Sequence, residues 1–220
     1  MGSAVAPSRY HETRFPYDKR REIVWQTLCR HFFQPMIRPE FHVLDLGAGY
    51  GHFINNIHCR RKSAVDQWPG MLDYLGPDVS GHVGQVSDLS FIADGSLDFI
   101  FASNLFEHLT QDKLAVTLRE LRGKMRPGAT LNILQPNYRL AYREYFDDYT
   151  HVAVYSDRSL SDFLEANGFA VTRCIPGFLP FSVKTSKSAV RPWIIRTYLR
   201  LPWKPFAKQM FLQAAVRNTR

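Results

Sequence analysis

The chain has 220 residues, 45% of them apolar, enough to bury a sizeable core in one domain. Its three cysteines, Cys29, Cys59 and Cys174, are too scattered for a disulfide framework or a zinc site, and no stretch nears the roughly 20 apolar residues of a spanning helix. The net charge of +8 comes from one end: from Ala166 onward there are ten Lys or Arg and no acid, which points to an anionic partner.

The opening residues, MGSAVAPSRY, lack the apolar region of a secretion signal, so a cytoplasmic protein is expected. Residues 18–33 have helical spacing, with Ile23, Leu28 and Phe32 among charged residues, and Pro35 and Pro39 punctuate the turn that follows. A strand is expected at 42–46, a helix at 51–58, a second strand at 62–66, a short helix at 68–75 and a third strand at 82–86. The apolar run LDFIFAS at 97–103 suits a sheet buried on both faces. A helix at 112–125 stops at Arg126-Pro127-Gly128, and a strand at 129–134 follows. Residues 159–167 form a helix closed by Gly168, and strands at 169–175 and 209–216 complete the series. The alternation predicts an α/β fold with a doubly wound, mainly parallel sheet. Residues 1–40 form an N-terminal helical lid, 41–177 the α/β core, and 178–220 a basic aromatic insertion and the closing strand of the same domain.

Residues 43–55, VLDLGAGYGHFIN, carry the first functional signal. An acid, Asp45, sits in an apolar strand and is followed by Gly47, Gly49 and Gly51. Clustered glycines at a strand-to-helix turn let the backbone approach a ligand closely. A dinucleotide fingerprint would read G-x-G-x-x-G, with an apolar residue in place of Asp45. Here the pattern is G-x-G-x-G, His52 fills the sixth position, and Asp45 suits an ammonium group. Asp66, at the end of the second strand, is placed for ribose hydroxyls. The combination argues against a nicotinamide cofactor.

Four motifs in order give the sequence a family resemblance: VLDLGAGYG, AVDQ at 64–67, ADGSLDFIFASNLFEHL at 93–109 and LRGKMRPGATLNILQPN at 121–137. Over about residues 40–175 the chain resembles the class I S-adenosylmethionine-dependent methyltransferases of the type 11-like small-molecule group. The resemblance implies a seven-stranded sheet and S-adenosyl-L-methionine as cofactor. It implies that Asp45, Gly47, Ala48, Gly49 and Gly51 surround the methionine moiety, and that Asp66 and Gln67 hold the ribose. Gln85, Val86 and Asp88 would meet the adenine, and Ser103 and Asn104 would face the cofactor from the fourth strand. Relatives usually carry an acid near Gln85; Gln85 would accept the adenine amine through its carbonyl, or Asp88 would substitute.

Methyl transfer to a hydroxyl needs that proton removed, and histidine suits the task near neutral pH. His108, in SNLFEHL, and His151, in DDYTH, lie where this fold puts the acceptor. Asp147, Asp148 or Tyr149 would orient His151. Glu107 is the weaker base candidate and is expected as a solvated helix position. Asn137, Asp148, Tyr149 and Arg196 are the expected acceptor contacts. No metal site is expected. The absence of an N-P-P-Y-like segment after the fourth strand weighs against planar amine acceptors.

The C-terminal stretches DDYTHVAVYSDRSLSDFLEANGF, GFLPFSVKTSK and YLRLPWKPFAKQMFLQAAVR resemble bacterial methyltransferases that accompany glycosyltransferases in glycan assembly. An acceptor that is a small molecule or glycan-like, phosphorylated or lipid-linked, follows as the expectation. Residues 191–204, RPWIIRTYLRLPWK, read as an amphipathic helix that rests on anionic lipid or covers the acceptor site; nucleic acid is disfavoured. Carbon methylation of a phosphorylated isoprenoid and a non-catalytic cofactor-binding subunit stand as alternatives to oxygen methylation.

Overall fold

β1 (His42–Leu46) is buried at all five positions, as a strand must be when both faces of its sheet are covered. Its neighbours in the computed structural model, which describes residues 16–180 and 191–217, are β2 (Arg61–Asp66) and β4 (Leu97–Ser103), both parallel to it. β3 (Val79–Val83) pairs with β2, and β5 (Met125–Pro136) with β4, again in parallel. β6 (Phe169–Pro180) closes the far edge, and β7 (Ala207–Val216) slots antiparallel between β5 and β6. The order is therefore β3-β2-β1-β4-β5-β7-β6. Strand order reverses between β1 and β4, so a ligand belongs beyond their carboxyl ends.

Two-residue alternation divides the core into two layers. Leu44 and Leu46 face one side with Val65, Ile100, Leu131 and Ile133. That side is covered by α2 (Gln111–Lys124) through Leu114, Leu118 and Leu121, and by α4 (Asp157–Ala166) through Leu160 and Leu164. Val43 faces the other side with Ala64, Phe99, Phe101 and Phe211. There α1 (Lys19–Leu28) and the π-helical turn Cys29–Phe33 contribute Leu28, Cys29 and Phe33. α5 (Pro192–Arg200) packs beside α1 and adds Ile195, Tyr198 and Leu199. The short α3 (Tyr138–Ala141) connects β5 to α4. The strand β7 drawn from the C-terminal region is thus integral to the sheet. Residues 1–15 of the expected lid and 181–190 of the expected insertion lie outside the described residues.

Two expected elements are corrected. The helix at 51–58 is only a 3₁₀ turn, Ile54–Asn56. Side-chain amides tie the segment elsewhere: Asn55 donates to Tyr74 O at 2.7 Å and accepts from Gly76 N at 2.9 Å, while Asn56 donates to His52 O at 2.9 Å. The third strand lies at 79–83, three residues earlier than expected. Its register against β2, with Lys62 opposite Val79 and Asp66 opposite Val83, decides its position. Val86 instead packs into the core beyond the strand.

Candidate active site

The glycine turn follows β1 directly. Gly47, Gly49 and Gly51 have φ of 73°, 52° and 66°, the left-handed region where a side chain costs about 1–2 kcal/mol. A Cβ on Gly47 would stand 2.9 Å from Leu105 Cδ1, whereas one on Gly49 would meet nothing within 4 Å. At Gly47 the positive φ is joined by the end of the Leu105 side chain, which a Cβ would displace, and Gly49 presents open backbone. Asp66 ties the turn down: its Oδ2 accepts from Gly49 N at 2.9 Å and its Oδ1 from Trp68 N at 2.8 Å. Each oxygen retains a lone pair, enough for a pair of vicinal hydroxyls. Burial raises the Asp66 pKa against the pull of those N–H groups.

Asp45 lies below the turn, 3% exposed. Burial, opposed by the Ile54 backbone N–H and reinforced by nearby Asp66, pushes its pKa up to about 8. A buried carboxyl held by so little is stabilised by a cation. Tyr50, Trp68 and Tyr74 form an aromatic group beside the turn, with centroid separations of 4.7–5.8 Å, and Tyr17 joins them from ahead of α1. Sequence reasoning passed over these rings, although Tyr50 stands inside the glycine motif itself.

Ala48 and Gln67 flank the turn and Asp66; the Ala48 N–H donates to Val65 O at 3.1 Å, and the Gln67 side chain is exposed. Past β3, Val86 is buried while Gln85 and Asp88 are exposed, and Asp88 Oδ1 accepts from Ser90 N at 3.1 Å. At the end of β4, Asn104 has φ 48°, a strained value for a non-glycine residue. Its N–H donates to Leu134 O at 2.8 Å, its amide donates to Ser103 Oγ at 3.1 Å, and its Oδ1 accepts from Gln209 at 3.2 Å. Gln209, on β7, is a contact that sequence distance concealed.

These features match a methionine-bearing nucleoside: open glycine backbone, an enclosed carboxylate for an ammonium group, and a second carboxylate with spare lone pairs for a ribose. Residues 15–173 match the family described as a methyltransferase domain. The chain belongs to this family. It is a class I S-adenosylmethionine-dependent methyltransferase with S-adenosylmethionine as cofactor. A malonyl-[acyl-carrier protein] O-methyltransferase of Methylococcus capsulatus is 32% identical over 160 residues, 66% of this chain; the match spans 56% of that protein's length. The methyltransferase also shares its fold with S-adenosylmethionine-dependent methyltransferases of known structure. The Archaeoglobus fulgidus protein has a TM-score of 0.67 at 22% identity, over 94% of this chain and 97% of its own. The Aquifex aeolicus protein has a TM-score of 0.61 at 18% identity, over 97% of this chain and all of its own.

The methyltransferase brings the two expected acceptor-side residues His108 and His151 together, ring centroids 4.8 Å apart, although 42 residues separate His108 from Thr150 beside His151. His108 follows β4 in a 3₁₀ turn, Phe106–His108. Its Nδ1 contacts Thr150 O at 3.2 Å and Thr150 Oγ1 at 3.0 Å, and Thr150 Oγ1 donates to Asp148 Oδ1 at 2.5 Å. The hydroxyl has one proton, and the carboxylate takes it. Thr150 therefore only accepts from His108, which assigns the proton to Nδ1 and leaves a lone pair on Nε2. The expected orienter Asp148 thus acts on His108 through Thr150, a residue the sequence did not single out. Burial would raise the Asp148 pKa, but the Thr150 hydroxyl and N–H and the two histidine rings hold it below the usual range. Burial and then His151 lower the His108 pKa to about 4, so its ring is neutral near pH 7.

Glu107 corrects another expectation. It is fully buried rather than solvated, and neither carboxylate oxygen has a hydrogen-bond partner. Burial, with Asp148 nearby, pushes its pKa up to about 8. The apolar Leu105, Phe106 and Leu109 around it, all packed in one core layer, were the available signal.

The remaining expected acceptor contacts are dispersed. Asn137 is buried and committed: its amide donates to Asp157 Oδ1 at 2.8 Å and Pro176 O at 3.0 Å, and its oxygen accepts from Arg139 N and Asp157 N. It has no donor left for an acceptor. Tyr149 is 63% exposed. Arg196 stands exposed on α5, where it and Arg200 lower the pKa of His31, after burial. No helix among the described residues is long and apolar enough to cross a membrane.

Proposed function

We propose that this methyltransferase transfers the methyl group of S-adenosylmethionine to an oxygen atom of a small-molecule or glycan-like acceptor, with the histidine pair handling the hydroxyl proton. The observation that carries the reading is the Asp148–Thr150–His108 chain, which leaves His108 Nε2 as a proton acceptor beside His151. Methyl transfer is an in-line displacement, so holding donor and acceptor in line supplies much of the rate. The relative from Methylococcus capsulatus, named as an O-methyltransferase, supports oxygen over carbon. The glycan-like acceptor class rests on the resemblance of the C-terminal stretches to methyltransferases of glycan assembly.

Methyl-labelled cofactor incubated with an acceptor pool tests this, with the bond type of the labelled product determined by nuclear magnetic resonance. Carbon-bound label would overturn the oxygen assignment. His108→Ala is expected to lower kcat by about 10²–10⁴-fold with cofactor affinity unchanged.

A partner with negative charge is favoured by a separate observation. Arg30, Arg196 and Arg200 converge on His31, and no carboxylate among the described residues pairs with any of the three arginines. Trp193, Trp203 and Phe206 stand 63%, 76% and 86% exposed nearby in sequence. Large aromatic side chains beside basic residues suit the interface of an anionic membrane, from which a lipid-linked acceptor would be presented.

A further inference from the structure

Glu107 carries a question that methyl transfer by a histidine base leaves open. Its carboxylate is wholly removed from solvent, yet neither oxygen accepts a hydrogen bond. Such a group is expensive to bury without a compensating partner. One carboxylate oxygen of Glu107 and one nitrogen each of His108 and His151 lie within 4.8 Å of one another.

We propose that Glu107, His108 and His151 bind a divalent transition-metal ion. Two imidazoles and one carboxylate suit a borderline ion such as Zn²⁺, Fe²⁺ or Co²⁺, whereas Mg²⁺ prefers oxygen donors and retained water. Bond lengths of about 2.0–2.2 Å put tetrahedral ligands about 3.3–3.6 Å apart, so the widest pair closes by at most about 1.5 Å on loading. His108 already has the surroundings of a metal-bound imidazole: Nδ1–H is engaged by Thr150, which Asp148 anchors, and Nε2 carries the lone pair. The buried carboxylate closes one side. His108 is only partly buried, whereas Glu107 and the Nδ1 atom of His151 lie out of solvent.

The site also deepens the oxygen-methylation reading, on which this consequence alone rests. A hydroxyl bound to the ion is acidified, as metal-bound water is. The proton leaves to solvent, the oxygen attacks the methyl carbon, the carbon–sulfur bond breaks, and its electron pair stays on sulfur as the neutral thioether. With the ion bound, the two rings would act on the hydroxyl proton as ligands of the metal, which would take the place of direct transfer to His108 Nε2.

Calorimetry on protein stripped with a chelator, titrated with Zn²⁺ or Co²⁺, tests the proposal, with the visible absorption of Co²⁺ reporting nitrogen and oxygen coordination. One equivalent is expected to bind at micromolar or lower Kd, and Mg²⁺ at comparable concentration not at all. Glu107→Gln and His151→Ala should each weaken binding at least 100-fold, and Thr150→Val by about 10–100-fold. Cofactor titration of the same variants shows that they are folded. Absence of Zn²⁺ and Co²⁺ binding, or one-equivalent binding that His151→Ala and Thr150→Val both leave unchanged, overturns the site. Binding that follows these expectations in a protein that methylates carbon upholds the metal site while removing the oxygen reading; oxygen methylation undiminished by the chelator, with no ion bound, does the reverse.

Discussion

Asp66 accepts the Gly49 N–H at 2.9 Å, so the carboxylate that ends the second strand also holds the glycine turn that ends the first. One side chain thereby shapes two walls of the proposed cofactor site. Asp66→Ala should weaken S-adenosylmethionine binding by about 10–100-fold, the loss expected for hydrogen bonds to a charged acceptor. Asp66→Asn, which keeps one acceptor oxygen, should lose less. Calorimetric titration distinguishes them; equal affinities in both variants and the parent would exclude Asp66 from the site.

Two glycines of the same turn should respond differently to alanine. Both pay for a left-handed φ, about 1–2 kcal/mol each. Gly47→Ala adds a 2.9 Å encounter with Leu105, whereas Gly49→Ala meets open space. The expected pattern is a larger fall in Tm for Gly47→Ala, and for Gly49→Ala a small fall in Tm with a clear loss of cofactor affinity. Cofactor affinity unaffected by Gly49→Ala would show that the ligand does not approach this backbone.

The buried Asp45 predicts a pH signature. Its pKa is raised to about 8 in the fold, against 3.8 ordinarily. Between those values the folded chain holds a proton that the unfolded chain has released, so this group's contribution is full below about pH 4 and lost as pH rises through about 8. The slope is at most about 1.4 kcal/mol per pH unit. Urea unfolding of cofactor-free protein from pH 5 to 8 should therefore converge with that of Asp45→Asn at low pH and fall below it at high pH. Parallel curves would mean that Asp45 is not held neutral.

Thr150 acts through His108 and is a positioning residue. Thr150→Val should lower kcat by about 10-fold or more while leaving the cofactor Kd unchanged, and Thr150→Ser, which restores the hydroxyl, should recover most of it. A structural role alone would instead move Tm in both variants without a kcat difference between them.

The basic aromatic surface predicts salt-sensitive binding to vesicles of anionic lipid. Arg196→Glu with Arg200→Glu should abolish co-sedimentation, and Trp203→Ala should reduce it at any salt concentration. Equal sedimentation of the parent chain with neutral and anionic vesicles would exclude the electrostatic contact.

The local pattern of the chain was enough for the α/β alternation and for the glycine turn after β1. Apolar runs such as LDFIFAS specify buried strands, and three glycines in five residues permit the left-handed backbone of a tight turn, which other side chains would strain. Where polar side chains tie the chain to backbone elsewhere, as Asn55 does to Tyr74 and Gly76 and Asn56 to His52, periodicity misled, because helix propensity does not register such contacts. Edge strand β3 was displaced for a related reason: with little to bury, its place is set by hydrogen-bond register against β2.

The acceptor side belongs to tertiary structure. Sequence nominated His108 and His151 separately and offered Asp147, Asp148 or Tyr149 as the orienter of the nearer ring, His151. Only the return of the chain after β5 puts Thr150 against His108, the two imidazoles side by side, and Glu107 beneath them out of water. Residue types and short spacings determine which backbone turns can form, since those depend on neighbours along the chain. Which side chains share a proton or an ion depends on distances across the sheet, and those exist only once the core has closed.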